Sequence, residues 1–383
     1  MMQQVFIVSA ARTPTGKAPR GQLSGIRPDE LAAVVVRGCL DRVPFLDRNQ
    51  VDDVIIGCAF PEIEQGWNVA RTIAIRAGIP NRAAAMTVNR FCSSGLQAIA
   101  LAAAEINSGW AEIVVAGGVE SMSTIPLGGM KQTPNPYLME HYPEYYLGMG
   151  LTAEEVAERY GVSRAAQDEF ALQSYTKAET AIVRGMFRDE ILAVPTEISG
   201  LAKAIDADEI KRGVTLAGLE KLKPVFKMNG TVTAANCSQT SDGAAAVVVM
   251  SEAKVKETGA VPLATLKTFA VAGVDPDVMG NGPIAAIPKA LKQAGLTLSD
   301  IGLFELNEAF AAQAIACIRA LEIDPGLVNV NGGAIALGHP LGCTGAKLTT
   351  SLLYEMRRCK VKFGVVSMCI GGGMGAAGVF ELA

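Results

Sequence analysis

The 383-residue sequence is poor in the residues that build metal sites and membrane spans. It has only two histidines, and none of its eight cysteines belongs to a Cys-x-x-Cys pair, so we expect no zinc site. No apolar run is long and uninterrupted enough to cross a bilayer. Charged residues make up only 19%, and the formal net charge of -4 gives no electrostatic basis for binding nucleic acid or an anionic membrane. The 40 glycines and 50% hydrophobic residues instead indicate a well-buried globular protein.

The two ends of the sequence show no targeting pattern. An apolar, strand-like run begins at residue 5, which is unlike a signal or transit peptide. The final residues, Phe380-Glu381-Leu382-Ala383, are neither a peroxisomal nor an endoplasmic-reticulum signal. We therefore expect a cytoplasmic protein whose cysteines are reduced thiols.

Strand-like and helix-like runs alternate along most of the chain, which is typical of an α/β fold. The predicted strands cover residues 5–9, 54–57, 84–88, 112–116, 244–250, 303–306 and 364–368. The predicted helices cover residues 28–41, 68–77, 96–108, 284–294, 309–321 and 345–358. For this length we expect about two to three domains.

The chain also predicts a duplication interrupted by an insertion. One pattern occurs twice: a cysteine motif, then an apolar helix, then an apolar strand. The first copy runs from Cys92-Ser-Ser-Gly to Ile113-Val-Val, and the second runs from Cys343-Thr-Gly to Val365-Val-Ser. Between these units, residues 126–146 are rich in Pro, Tyr, Met and charge, and amphipathic helices follow at 153–160 and 164–184. We predict an N-terminal half (1–118 plus 249–268), a loop domain (119–248) and a C-terminal half (269–383).

Cys92 is the most informative residue. It lies in Asn89-Arg90-Phe91-Cys92-Ser93-Ser94-Gly95, between a predicted strand and a predicted helix. Unsatisfied N–H groups and the positive end of the helix dipole favour thiolate over thiol at such a position. We therefore expect an activated nucleophile, although a buried cysteine with a packing role is the alternative for this motif alone.

Three further motifs each follow a predicted strand, so all four could converge at one edge of a sheet. They are Asn307-Glu308-Ala309-Phe310, Gly338-His339-Pro340 and Cys369-Ile370-Gly371-Gly372-Gly373. A thiol nucleophile needs a base, which His339 can supply, and glycine N–H groups can stabilise a developing oxyanion. Cys369 can act as an acid or base. Taken singly, His339 could be a loop histidine and Cys369 a packing residue.

In this order and spacing the four motifs resemble those of the thiolases, within the thiolase/condensing-enzyme superfamily. The resemblance covers nearly the whole chain, from Ala10-Ala11-Arg12-Thr13-Pro14 to the C-terminal glycines. It implies a thiolase fold: two duplicated five-layered α/β/α/β/α halves with an inserted loop domain that covers coenzyme A. CoA would be a co-substrate, with no permanently bound cofactor.

The resemblance also implies catalytic roles. Cys92 would take the acyl group and His339 would accept its proton. His339, with a water held by Asn307, would bind the thioester oxygen of the acetyl-CoA enolate. Cys369 would carry protons to that enolate and from the incoming CoA thiol, while the N–H groups of Cys92 and Gly371 would form a second oxyanion hole.

Positions similar to those near pantetheine and the reacting thioester are Met149, Phe226, Ala234 and Ser238, with Phe310 beyond them. Lys211 and Arg212 match a segment that contacts the adenosine end in relatives, where a basic pair suits the 3′-phosphate. Acyl-CoA substrates and CoA are thus the expected partners. The resemblance further implies a homodimer, with a tetramer as the alternative, and leaves open a multienzyme partner in β-oxidation.

The leading hypothesis is a bacterial degradative thiolase that cleaves 3-ketoacyl-CoA with CoA. The segment Ser238-Gln239-Thr240-Ser241-Asp242-Gly243 is more similar to the corresponding motif of thiolases that act on long chains than to that of acetoacetyl-CoA enzymes. In addition, Gly148 occupies a position where acetoacetyl-CoA enzymes commonly have histidine. Acetyl-CoA acetyltransferase is the first alternative. A decarboxylating condensing enzyme would use a second histidine where Asn307 stands, and a non-catalytic lipid carrier would not need Cys92, His339 and Cys369 together.

Overall fold

The computed structural model describes residues 4–383. The expectation that no leader precedes the first strand also concerns residues 1–3, which lie outside the described residues. Among residues 4–383, no helix is both long enough and apolar enough to cross a membrane.

The secondary structure follows the predicted alternation closely. The strands are β1 (Val5–Arg12), β2 (Gly16–Lys17), β3 (Asp53–Gly57), β4 (Met86–Val88), β5 (Ile113–Ser121), β6 (Ser241–Ser251), β7 (Ala264–Gly273), β8 (Leu303–Leu306), β9 (Phe363–Ile370) and β10 (Met374–Leu382). The helices are α1 (Pro28–Asp41), α2 (Val69–Arg76), α3 (Ser94–Asn107), α4 (Pro136–His141), α5 (Met149–Arg159), α6 (Arg164–Val183), α7 (Thr196–Ser199), α8 (Leu216–Glu220), α9 (Glu252–Thr258), α10 (Gly282–Ala294), α11 (Ala311–Leu321), α12 (Ala334–Leu337) and α13 (Leu341–Cys359). Strands β2, β7 and β10 have no counterpart among the strands predicted from the sequence.

The strand order is β4-β3-β5-β6-β1-β7-β10-β9-β8, with β2 added beside β6. In the N-terminal half β3 and β5 are parallel, and β6 and β1 follow antiparallel. The C-terminal half repeats this pattern, because β8 and β9 are parallel and β10 and β7 follow antiparallel. The halves meet where β1 pairs with β7 at Ile7 and Ala264. This repetition supports the predicted duplication.

Helices cover both faces of each half, because side chains on successive strand residues point to opposite faces. Val248 and Met250 of β6 pack against α1 and α2, whereas Val247 and Val249 face α3 and α13. The C-terminal strands contact α3 and α13 on one face and α10 and α11 on the other. The five layers therefore belong to the two halves together and not, as predicted, to each half, because α3 and α13 form a middle layer that both halves share.

The predicted domain limits need correction. Positions 118/119, 248/249 and 268/269 fall inside β5, β6 and β7, whose pairing continues across them. The strand ends favour a loop domain over residues 122–240, and we keep the three-part division as a proposal with these limits. That segment contains α4 to α8.

Glycines let the two helices of the middle layer approach closely. A Cβ at Gly95 of α3 would lie 2.7 Å from the backbone nitrogen of Ala346 in α13. A Cβ at Gly345 of α13 would overlap the backbone of Leu96 in α3. Because backbone cannot move aside as a flexible side chain can, these positions accept no larger residue without separating the helices.

We predict that Gly345→Ala lowers the free energy of unfolding by about 2–3 kcal/mol, since the added methyl group forces α3 and α13 apart. Urea denaturation followed by circular dichroism measures this difference. Gly25→Ala is the matched control, because a Cβ there meets nothing within 4 Å. Equal midpoints for Gly345→Ala and the control would contradict the close-packing argument.

Candidate active site

Cys92 lies in a 3₁₀ turn, Phe91–Ser93, that leads directly into α3. Phe91 has a φ of 42°, which is unfavourable for a residue with a side chain and indicates a strained turn. The Ser94 hydroxyl closes the turn by donating to the Phe91 carbonyl (2.7 Å) and accepting from the Arg90 N–H (2.9 Å). The turn packs against α13 and the end of β9. Cys92 is thereby fixed where both halves meet.

The expectation of a stabilised thiolate at Cys92 is wrong for the resting protein. Burial raises the pKa of the Cys92 thiol to about 12 and outweighs the opposing effect of the N–H groups of Gly371 and Cys92 itself. The carboxylate of Glu120 adds to the increase. The residue keeps partial exposure. Cys92 is therefore a thiol until a base removes its proton.

His339 is buried and neutral. Its Nδ1 lies 2.5 Å from the Thr344 hydroxyl oxygen, and that hydroxyl donates to the Pro340 carbonyl at 2.9 Å. Because the single hydroxyl proton is used on Pro340, Nδ1 must carry the imidazole hydrogen and donate it to Thr344. Nε2 then bears the lone pair. Burial, helped by the charge of Lys347, lowers the pKa of His339 to about 3.

Asn307 contacts the basic nitrogen of His339. Its Nδ2 lies 3.3 Å from Nε2, which suits an amide donor and an imidazole acceptor. The Oδ1 atom of Asn307 is buried and has no hydrogen-bond partner within the described residues. An unpartnered acceptor of this kind can hold a water or a substrate donor.

Cys369 lies at the end of β9 and is buried. Burial, with the neighbouring Cys92, raises its pKa well above the usual value. The turn that follows contains Gly372 and Gly373 with φ of 81° and 84°, a conformation that side chains disfavour. The preceding N–H, from Gly371, is directed at Cys92.

Several predicted substrate-binding residues join this cluster. Met149, Phe310 and Cys369 pack together, and a Cβ at Gly371 would lie 3.6 Å from the Met149 sulfur. The Phe226 ring meets the Phe310 ring edge-on, with centroids 6.2 Å apart. Each aromatic or sulfur group therefore lines the approach to the two cysteines.

The remaining predicted residues all lie on the loop domain. Ser238 is partly exposed and its N–H donates to the Ala309 carbonyl at 2.9 Å, beside the Asn307 motif. Ala234 is exposed on the loop domain. Lys211 and Arg212 are exposed in an irregular segment of the loop domain.

Two polar residues that organise the site, Glu120 and Thr344, were not predicted from the sequence. Glu120, at the end of β5, accepts hydrogen bonds from Ala59 (2.7 Å) and from Gly342 at the start of α13 (2.8 Å). Thr344 fixes the His339 ring. A carboxylate directly after an apolar strand was a usable signal for Glu120, but Thr344 is recognisable only once α13 is folded.

Comparisons with known proteins agree with this architecture. The chain matches two family profiles, described as "Thiolase, N-terminal domain" over residues 5–253 and "Thiolase, C-terminal domain" over residues 260–382. It is 55% identical over 391 aligned residues to the 3-ketoacyl-CoA thiolase of Bacillus subtilis (strain 168), and the alignment covers all of both chains.

Two solved structures are similar over the whole chain. Human mitochondrial 3-ketoacyl-CoA thiolase is 39% identical with a TM-score of 0.92, covering 100% of this chain and 99% of that one. The same human protein in complex with CoA has a TM-score of 0.91 over 98% of its chain. Bacillus anthracis acetyl-CoA acetyltransferase is 40% identical, also at 0.91, covering 100% of this chain and 99% of its own. Proteins named for two different reactions thus match equally well, so the fold alone does not select the substrate.

We predict that alkylation of Cys92 accelerates continuously with pH between about pH 6 and 10, because only the thiolate reacts and the raised pKa keeps it scarce. Mass spectrometry after brief iodoacetamide treatment measures the rate at the Cys92 peptide. The exposed Cys359 serves as an internal control for reagent and accessibility. A plateau of Cys92 labelling near neutral pH would instead demonstrate a resting thiolate–imidazolium pair.

Proposed function

The chain belongs to the thiolase family, and from that premise we propose that it is the degradative enzyme, which cleaves a 3-ketoacyl-CoA with CoA to give acetyl-CoA and a shortened acyl-CoA in β-oxidation. It is an acyltransferase. The observation that carries the proposal is a pair of neighbouring thiols, Cys92 and Cys369, with the Gly371 N–H directed at Cys92, in a turn packed against α13, the helix that begins directly after His339-Pro340.

In the proposed first step the Cys92 sulfur attacks the 3-keto carbon of the substrate. His339 takes the thiol proton on Nε2, which is unprotonated because the imidazole hydrogen is on Nδ1 and donated to Thr344; the contact from Asn307 to Nε2 gives way in this step. The N–H groups of Cys92 and Gly371 receive the oxygen as it becomes negative. The C2–C3 bond then breaks, which leaves the acyl group on sulfur and the electron pair in an acetyl-CoA enolate.

The enolate oxygen needs donors that the resting site does not present. Once His339 has accepted a proton, its Nε2–H can donate to that oxygen, together with a water held at Asn307 Oδ1. Cys369 supplies the proton to carbon, which its raised pKa permits because the group is a thiol and not a thiolate at rest. Acetyl-CoA leaves as the neutral thioester.

The second half reverses the proton path. The Cys369 thiolate accepts the proton of the incoming CoA thiol, whose sulfur attacks the acyl-Cys92 thioester. The glycine turn again receives the developing oxyanion. As the Cys92 sulfur leaves, it takes back the proton held by His339, which regenerates the enzyme. Charge therefore exists only transiently in a site whose burial disfavours it.

The loop domain is the proposed binding surface for CoA, a co-substrate and not a resident cofactor. The human structure in complex with CoA supports CoA as the co-substrate, and the apolar Met149, Phe226 and Phe310 beside Cys369 favour this surface. Ala234 and Ser238 would flank the pantetheine. The exposed Lys211 and Arg212 are free to meet the 3′-phosphate.

Two features favour an acyl tail longer than that of acetoacetyl-CoA. A Cβ at Gly148 would meet nothing within 4 Å, so space is open directly before Met149. Tyr145 lies against the glycine turn, where a Cβ at Gly372 would be 3.2 Å from its ring. Apolar and aromatic surface beside the reacting carbon suits a hydrocarbon chain.

A homodimer is the proposed assembly. Strand β4 pairs only with β3 in the described sheet and leaves one edge open. Trp67 is fully exposed and lies beside that strand, because the next residue, Asn68, is hydrogen-bonded to Ala85 and Thr87. Ile63 and Met130 are also largely exposed. Pairing of two such surfaces would cover them. A cytoplasmic location and a multienzyme partner stay predictions.

Acetyl-CoA release from a series of 3-ketoacyl-CoAs tests the function. We predict that kcat/KM rises from the four-carbon substrate to medium chain lengths, by up to roughly fourfold for each methylene that becomes buried, equivalent to about 0.8 kcal/mol. Cys92→Ala should abolish release and is the control for background hydrolysis. A steep preference for acetoacetyl-CoA would reassign the protein as an acetyl-CoA acetyltransferase.

The space at Gly148 can be tested separately. We predict that Gly148→His lowers kcat/KM for eight-carbon substrates by about tenfold or more while the four-carbon substrate is largely unaffected, because the imidazole occupies the space proposed for the tail. Gly148→Ala, which adds only a methyl group, is the matched control. Equal losses for both chain lengths would show that the tail runs elsewhere.

A further inference from the structure

Lys347 is a buried cation directly behind the segment that carries His339. It lies on α13 with only 4% of its surface exposed. Its Nζ donates to the carbonyls of Leu337 and Gly338, both at 2.9 Å. Leu337 is the last residue of the short helix α12, so one of these carbonyls would otherwise be an unsatisfied helix end.

The bonded carbonyls immediately precede the catalytic histidine. Gly338 has a φ of 83°, a left-handed conformation that turns the chain from α12 toward His339. The contact with Lys347 therefore stabilises an unusual turn. This turn determines the position of the His339 backbone and so of its imidazole ring. Thr344, on the same helix as Lys347, fixes the ring at its other end through Nδ1.

A buried ionic cluster surrounds Lys347 and includes the loop domain. Arg12 at the end of β1 pairs with Glu190 (2.6 Å) and Asp208 (2.7 Å), both of which belong to the inserted segment. Asp208 also accepts from the Thr15 N–H at 2.7 Å. Lys347 is close enough to these groups to interact electrostatically with all three.

We propose that Lys347 is a positioning residue for the catalytic base: its two hydrogen bonds to the carbonyls of Leu337 and Gly338 hold the chain directly before His339. The inference rests on the proposed role of His339 in the thiolase reaction. It extends that role because it makes the base depend on a cluster shared between β1, α13 and the loop domain.

The electrostatic part follows from the charged and titratable groups that face Lys347. These are Arg12, Asp208, Glu190, Glu305, Cys343 and His339. Burial and Arg12 lower the pKa of Lys347 to about 8, so the ammonium is protonated at neutral pH. A nearby cation opposes protonation of His339, which adds to the effect of burial on its pKa.

Three substitutions separate the two effects. Lys347→Met removes both donors and charge, Lys347→Gln keeps an N–H donor without charge, and Lys347→Arg keeps both. Misplacing a catalytic group by about 1 Å can cost about 100-fold in rate, so we expect Lys347→Met to lower kcat by about that factor with little change in KM. Lys347→Arg should recover most of the loss.

The pKa of His339 provides a readout that a merely structural role would not move. The chain has only two histidines, so histidine-labelled protein gives one NMR signal for His339 and one for the exposed His141, which serves as the internal control. We expect Lys347→Met and Lys347→Gln to raise the pKa of His339 by about one unit or more. Lys347→Arg should leave the pKa of His339 unchanged, and the His141 signal should be the same in every variant.

The outcomes are distinguishable. Near wild-type kcat in Lys347→Met, or a lost kcat with an unshifted His339 pKa, would overturn the positioning role. If Lys347→Met does not fold, the comparison of the Gln and Arg variants decides the same question. A wild-type protein without thiolase activity would reject the proposed function, while the NMR titration would still report whether Lys347 controls the imidazole.

Discussion

The close contact of α3 with α13 is the constraint on which the active site depends. Each half contributes one of these helices to the shared middle layer, and glycines at 95 and 345 let their backbones touch. Cys92 directly precedes α3, and His339-Pro340 directly precedes α13. Fixing the two helices against one another therefore fixes the nucleophile and the base. The duplicated fold thus brings the N-termini of two equivalent helices close together. One is preceded by the nucleophile and the other by the base.

Burial sets the resting protonation states of the site. It raises the pKa of both thiols and lowers that of His339, so all three groups are neutral before substrate arrives. The resting site therefore carries no net charge on these three groups. Each proton transfer occurs only when the charge that develops on the reacting oxygen or carbon balances the charge left on the enzyme. The fixed dipoles of the glycine turn and the committed tautomer of His339 provide that compensation without reorganisation.

The inserted segment is part of this machinery as well as a cover. Its last residues run beside both catalytic loops, with Gln239 accepting from the His339 N–H (3.0 Å) and Ser238 donating to Ala309 (2.9 Å). Its carboxylates Glu190 and Asp208 neutralise Arg12 behind the site. Because buried charges are costly unless paired, the loop domain and the two halves cannot separate without exposing unpaired ions.

The sequence by itself determined the α/β alternation, the duplication and the identity of the reactive groups, because apolar periodicity and short motifs are local properties of the chain. Helix α1 and strand β8 have the predicted bounds. Strands β7 and β10 were not predicted, because alanine, glycine and polar residues interrupt the apolar pattern that is typical of a strand. Only the tertiary structure decided the protonation of Cys92, the tautomer of His339 and the place of Lys347. These depend on burial and on partners distant in sequence, such as Gly371 for Cys92 and Arg12 for Lys347, and no local pattern encodes a desolvation energy.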